Sequence, residues 1–355
     1  MNENIIQKAA AQFGKGIPLT EPIGEGLIHQ TFKVTFSDNA NPVILQCINQ
    51  RTFPQPENII YNYRQLYEYL QTQPGVIKIP ALVLTHHNKY FWIDEEDNFW
   101  RACTFIQNSH SLAVAANETD AYRAARCFAE LTRSLSGFDI NRLNIIIPDF
   151  HNLRLRYRQF EEAISKASIM RLLRSTHIIS ELRQRKKLVE FFEHLEDEEN
   201  YPTRVMHHDC KISNILFDRT TNAVLCPVDL DTVMPGKFFS DIGDMIRSMV
   251  CPVDENSTAW EEIGIQGDYY ESIVKGYLDG MGNLLTETEK LSLHYSGLIM
   301  IYMQSLRFVT DFLNNDIYYQ TKYPEQNLNR ALNQFILMEQ LEEFLLKKYG
   351  FSSGS

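Results

Sequence analysis

No stretch of this chain stays apolar for the roughly 20 residues that a membrane span requires, so no transmembrane segment is expected. Cysteines are few and scattered: Cys47, Cys103, Cys127, Cys210, Cys226 and Cys251, with no Cys-x-x-Cys pair. That spacing excludes a disulfide scaffold and suits buried or free thiols in a reducing compartment. Positive charge is in deficit, 34 Lys and Arg against 45 Asp and Glu, a net charge of −11. Such a balance argues against a general nucleic-acid binder, which needs a basic face to neutralise phosphates. The opening residues, MNENIIQKAAAQFGKG, have no basic stretch leading into an apolar core, so no secretory signal is expected. Internal repeats and low-complexity tracts are missing too. The expectation is a cytoplasmic protein that engages neither membrane nor nucleic acid.

What is present is ordinary apolar content, 44% of 355 residues, enough for two separate cores. Up to about Ile106 the pattern is mainly sheet with one helix. Alternation from Gln30 to Phe36 follows the pair Gly24 and Gly26, which reads as a hairpin whose tip lets backbone N–H groups approach a phosphate. Such a Gly-x-Gly alone is most often just a tight turn. Further strands are expected at residues 42–48, 81–85, 90–93 and 100–106, with a helix over 58–71. Beyond Ile106 helical periodicity dominates, at residues 120–135, 153–169, 178–195, 260–280, 286–313 and 327–349. Thr286 with Glu289 forms a capping box at the start of the fifth. The expected division is therefore a sheet-rich lobe, 1–106, and a mostly helical lobe, 107–355.

Residues 204–249 carry the chemistry. His207-His208-Asp209-Cys210-Lys211-Ile212-Ser213-Asn214 has the form His-x-Asp-x-x-x-x-Asn, and Asp229 follows Asn214 by fifteen residues at the end of an apolar strand. Phosphoryl transfer needs a carboxylate to orient and deprotonate the attacking hydroxyl, and magnesium to bridge the phosphates. Magnesium takes oxygen ligands and keeps several waters, so one amide and one or two carboxylates are enough. Asp209 fits the base; Asn214 and Asp229 fit the metal. Asp231, two residues on, would share the face of Asp229 on a continuing strand and could be a second or water-mediated ligand. Lys211 could place a cation near the transferred group. A hydrolytic metal centre using His207, His208 and Asp209 is the competing chemistry. It has no use for the upstream glycine hairpin or the spaced Asn214.

These segments resemble the aminoglycoside phosphotransferase and choline kinase group, and within it the N-acetylhexosamine 1-kinases. The similarity rests on Gly24-Glu25-Gly26, residues 44–49, residues 148–151, the run Asp229-Leu230-Asp231-Thr232-Val233-Met234-Pro235-Gly236, and residues 307–313 and 316–319. The resemblance implies an α+β, two-lobed, protein-kinase-like fold, with a small antiparallel-sheet N-lobe and a larger, mostly helical C-lobe. It implies ATP as co-substrate near Gly24, Gly26, Gln46, Thr104 and Ile106, and Mg2+ on Asn214, Asp229 and Asp231. The acceptor it implies is an N-acetylhexosamine, phosphorylated on its anomeric hydroxyl, with Arg307, Tyr318 and His29 lining the sugar site beside Asp209. One departure stands out. Kinases of this group usually carry a lysine or arginine on the third strand, where this chain has Gln46, and the partner glutamate is open between Glu57 and Glu68. Arg307 and Asp311, four apart, could also form an ordinary helix ion pair.

Overall fold

The structure is a computed structural model that describes residues 2–23, 28–38, 41–73 and 75–353. The chain divides into two compact units, each assembled from three segments. The first holds Met1–Ser111, Gly137–Ile147 and Leu216–Met234; the second holds Leu112–Ser136, Pro148–Ile215 and Pro235–Ser355.

In the first unit five antiparallel strands lie in the order Pro18–Pro22, Gln30–Phe36, Val43–Cys47, Phe99–Thr104, Trp92–Ile93. Side chains alternate between the faces of a strand, so each face collects every second residue. Phe32, Val34, Val43, Leu45, Trp100 and Ala102 share one core with Ile6, Ala9 and Phe13 from the N-terminal segment. The alternate residues point the other way, and there Gln46 sits directly opposite Arg101. A sheet face that buries an arginine must supply it with a partner. Residues 81–85, expected as a strand, make only an isolated bridge between Leu82 and Cys103. Thr85 then turns back to bond Lys89, which ends the pairing.

Helix Pro56–Gln71 starts with proline at its first turn, where the missing N–H costs nothing, and buries Ile59, Tyr63, Leu66 and Leu70. Asn62 is buried among them. Its side chain binds Asn144 through three contacts and reaches the carbonyl of Val233 at 3.3 Å.

Helices make up most of the second unit. Leu293–Leu313 is buried around its circumference, as a central helix must be, and packs against Phe239–Met249, Leu153–Lys166 and Gln326–Tyr349. A Cβ on Gly243 would lie 2.4 Å from the carbonyl of Ser296, so glycine sets how closely Phe239–Met249 approaches it. Two expected helices are broken differently. Residues 153–195 form three helices, Leu153–Lys166, Ile169–Gln184 and Lys187–Asp197, because Ser168 caps the second by accepting from Arg171. The capping box of Thr286 and Glu289 is present, but it opens only the short helix Glu287–Leu291. Ser292 then turns its hydroxyl onto the carbonyl of Glu289, competing with the backbone. Leu291, the last residue of that short helix, is 79% exposed. Among the described residues no helix is long and apolar enough to cross a membrane.

Candidate active site

The loop after strand Arg204–Met206 holds Asp209 without any ladder of its own. Its N–H groups are taken by two carboxylates of helix Phe239–Met249. Asp241 accepts from His207 at 3.0 Å and His208 at 2.8 Å, and Asp244 accepts from Cys210 at 2.8 Å. Buried backbone donors need such partners, and here they come from one rigid helix. Asp241, in the first turn of that helix, braces the loop with both of its carboxylate oxygens. His208 adopts a left-handed backbone, φ 67°, which turns the chain into Asp209.

The turn Ile212–Asn214 brings Asn214 back, where its Nδ2 donates to the Asp209 carbonyl at 2.9 Å and to Oδ2 at 3.0 Å. Lys211 Nζ is 3.0 Å from the same oxygen. Burial pushes the Asp209 carboxyl up, but the Lys211 ammonium, His207 and the Asn214 hydrogen bond outweigh it. The group is held below the usual carboxylate value, so it is ionised and able to accept a proton at neutral pH.

Next to this loop Ser240 Oγ bonds two imidazoles, Nδ1 of His208 at 2.6 Å and Nδ1 of His151. Burial, then the neighbouring His208, Arg307 and Arg156, hold His151 well below the ordinary histidine value. Gly236 gives the His208 ring its space, since a Cβ there would lie 2.3 Å from Cε1.

The second unit also contains a cavity of about 340 Å³, lined by Arg156, Gln159, Lys166, Arg307, Tyr318 and Tyr319 among others. The Arg307 guanidinium lies 5.5 Å from the ring of Phe150, 5.7 Å from that of Tyr319 and 6.0 Å from that of Tyr318. Its hydrogen bond goes to Gln304, and among the described residues the ion pair with Asp311 allowed by the spacing does not form, Asp311 accepting instead from Tyr318, Tyr319 and Asn327. Arg156, unremarked in the sequence, binds the carbonyls of Asp149 and Phe150 and so braces the ring beside Arg307.

In the first unit, the strand Val224–Pro227 does not continue through Asp231 as expected. Asp229 is left-handed, φ 58°, and Leu230–Thr232 forms a single 3-10 turn. Strand alternation ends there, yet the two carboxylates still lie within 4.8 Å of one another. Asp231, 2% exposed, lies 2.6 and 2.8 Å from Nη1 and Nη2 of Arg101, and 2.7 Å from His29 Nε2. His29 Nδ1 accepts from Asn49 N–H, so both ring nitrogens are engaged. Burial would raise the Asp231 carboxyl, but Arg101 first and His29 second hold it well below the usual range. Gln46 Oε1 accepts from Arg101 at 2.8 and 3.0 Å. The sequence reading overlooked Arg101; a lone arginine within the apolar run Phe99-Trp100-Arg101-Ala102-Cys103 was the available signal. Ligand-type atoms of His29, Asp229 and Asp231 lie within 4.8 Å of one another, which suits a cation-binding corner. Thr104 Oγ1 accepts from Ala81 N–H, and the Ile106 carbonyl accepts from Ser109. Glu68 pairs with Arg64 of its own helix. Gly24 and Gly26 lie outside the described residues.

The architecture is a kinase-like α+β fold, with a five-stranded antiparallel sheet early in the chain and a mostly helical remainder. A family model described as the phosphotransferase enzyme family (APH) matches residues 20–280, and the chain belongs to that family. Solved structures share the fold. A microcompartment-associated aminopropanol kinase is 16% identical with a TM-score of 0.66, covering 98% of each chain. An aminoglycoside phosphotransferase from Alicyclobacillus acidocaldarius is 14% identical with a TM-score of 0.65, over 96% of this chain and 94% of that one. A choline kinase from Cryptosporidium parvum is 12% identical with a TM-score of 0.58, over 98% and 97%.

Proposed function

We propose that this protein transfers the γ-phosphoryl group of ATP to the anomeric hydroxyl of an N-acetylhexosamine. The acceptor oxygen gives its proton to Asp209 and bonds to phosphorus, while the bond from phosphorus to the β-bridging oxygen breaks and ADP leaves. Asn214 and Asp229 are the proposed magnesium ligands, and the metal supplies charge stabilisation to the phosphates when bound. Asp231 anchors the segment that carries Asp229, because its oxygens already face Arg101 and His29. His29, with both ring nitrogens engaged, serves that anchor rather than the sugar. Lys211 faces the transferred group, and Gln46, Thr104 and Ile106 belong to the nucleotide side with the glycine hairpin. Cytoplasmic location goes with this reading.

One observation carries the choice of acceptor. Among the described residues Arg307 meets aromatic rings and pairs with no carboxylate, while of the two acids that line its cavity Asp311 is consumed by main-chain N–H groups and Glu162 lies 4.0 Å from Arg158. A cationic amine would find a cation there. A neutral sugar with an acetamido carbonyl and hydroxyls finds a hydrogen-bond donor and ring faces for stacking. An amino alcohol acceptor is the second reading, drawn from the aminopropanol and choline kinases of the same fold. Release of ADP measured across N-acetylglucosamine, N-acetylgalactosamine, other hexoses, aminoglycosides and amino alcohols tests this. Turnover confined to the amines would overturn the sugar assignment, and no turnover with any acceptor would favour a silent binding protein.

A further inference from the structure

We propose that Asp244, Arg247, Glu255 and Arg330 form a positioning chain that ties the loop of Asp209 to the wall of the Arg307 cavity. The proposal rests on the reading above for which groups act, and its geometry lies entirely within the second unit.

The links run in order. Cys210, next to Asp209, donates its N–H to Asp244 Oδ2 at 2.8 Å. The other oxygen of Asp244 accepts from Arg247 Nε at 2.9 Å, and Arg247 Nη1 donates to Glu255 Oε2 at 3.0 Å. Arg330 Nη2 donates to the remaining oxygen of Glu255. The Arg330 guanidinium then lies 3.7 Å from the ring centroid of Phe308 and 5.1 Å from that of Tyr319. Phe308 and Tyr319 are themselves in ring contact, and Arg307 lies over the same Tyr319 ring. Charges alternate along the whole path, minus, plus, minus, plus.

Each link is fixed by more than its neighbour. Glu255 lies in a segment pinned to helix Gln326–Tyr349, where Asn333 Nδ2 donates to the carbonyls of Asp254 and Ser257 at 3.1 and 3.0 Å. Gln326 donates to Asn256 Oδ1 from the same helix. Side-chain exposure is 6% for Asp244, 15% for Arg247, 26% for Glu255 and 13% for Arg330, so solvent screens these pairs little. Burial alone would raise the Glu255 carboxyl, yet Arg247 and Arg330 hold it below its usual value.

Stability does not by itself call for this arrangement. A buried acid, a partly buried one and two partly buried arginines cost desolvation that apolar residues of the same volume would avoid, and such replacement is often neutral or stabilising. What apolar residues could not do is specify direction. Each oxygen of Asp244 and of Glu255 has one assigned donor, so a shift of the Tyr319 wall and a shift of the Cys210 amide are no longer independent. The Asp209 carboxylate must meet a hydroxyl held by that wall, and misplacement by about 1 Å costs on the order of a hundred-fold in rate. Asp244 through Arg330 are therefore positioning residues, none of them in contact with the reacting atoms.

The test uses the full chain and two independent readouts. In steady-state kinetics, Glu255→Gln should lower kcat and raise the acceptor KM by ten-fold or more, with the nucleotide KM within two-fold of wild type. A merely structural loss would lower the apparent kcat through the amount of folded enzyme and leave both KM values unchanged. Asp244→Asn and Arg330→Met combined should deviate from the product of their separate effects by at least five-fold, whereas Arg183→Gln, which breaks a surface pair with Glu161, should combine multiplicatively. The second readout needs no substrate, so it stands even if the acceptor assignment fails. Amide exchange in the peptide containing His207–Cys210 should quicken at least five-fold in Arg330→Met, measured by mass spectrometry. Where Glu255→Gln does not fold, Arg247→Lys and Arg330→Lys carry the same comparisons. Unchanged exchange in Arg330→Met, or separable kinetic effects at the two ends, overturns the chain.

Discussion

Asp311 accepts the main-chain N–H of Tyr318 at 2.8 Å, and its second oxygen accepts that of Tyr319 at 2.9 Å and the Asn327 amide at 2.9 Å. One carboxylate thus shapes the turn that presents both tyrosines, and Arg307 one helical turn earlier is left to its cavity. Tyr318 is 68% exposed, and the turn sets where its ring meets Tyr319 and Arg307. Asp311→Ala is expected to raise the acceptor KM by ten-fold or more while leaving the nucleotide KM unchanged. Equal loss in both KM values would show that the turn does not serve the acceptor.

Asp209→Asn keeps the shape of the loop and the bond from Asn214, but cannot take a proton. A positioned base contributes typically 10² to 10⁴ in rate. Turnover should fall by that range, and calorimetry should find nucleotide affinity within about two-fold of wild type. Retained turnover would move the role of base to another residue.

Arg101 and Asp231 are each 2% exposed, joined by one hydrogen bond from Nη2 at 2.8 Å and an ion-pair contact of Nη1 at 2.6 Å. Removing one member of such a pair strands the other charge, at a cost of about 3–5 kcal/mol. Arg101→Met should therefore lower stability in urea by that amount, and adding Asp231→Leu should recover much of it. A single variant as stable as wild type would mean that the pair is solvated.

The native protein keeps His151 neutral well below the ordinary histidine value of about 6.5. The unfolded chain binds a proton there as pH falls past 6.5, while the folded chain does not. Stability is thus present above that pH and declines below it, by at most ~1.4 kcal/mol per pH unit from this one group. His294, held low by burial, adds the same sign, so the measure is the difference from His151→Gln. Chemical denaturation at pH 7 and pH 5 should show a smaller decline in that variant. Equal declines would remove His151 from the account.

Much of the fold could be read from residue pattern, because alternation and helical periodicity are local properties. The hairpin partners Pro18–Pro22 and Gln30–Phe36, helix Pro56–Gln71 and helix Gln326–Tyr349 lie close to where periodicity put them. Helix breaks were less legible, since Ser168 and Ser292 act through single hydroxyl bonds that leave the apolar period unchanged. At the site, Asp209, Lys211 and Asn214 come together because eight consecutive residues hold them. Arg101 with Asp231, and Arg247 with Arg330 through Glu255, join distant positions. Their pairing depends on which strand or helix face meets which, and no local pattern records that. The strand ends before Asp231, where the left-handed backbone at Asp229 breaks alternation without a glycine to announce it, and the two carboxylates come within 4.8 Å of one another by that turn instead.

Arg101 and Asp231 are separated by 130 positions in the chain. During synthesis at ~5–20 residues per second, the arginine is made on the order of ten seconds before its counter-charge exists. All five sheet strands are complete by Thr104, yet the face that carries Arg101 and Gln46 has no acid to close it. The nascent sheet must keep that guanidinium wet. Its other face, packed on the N-terminal helix, has everything it needs. Birth order therefore separates the two faces of one sheet, the apolar side assembling early and the chemical side waiting for the segment that brings Asp229 and Asp231.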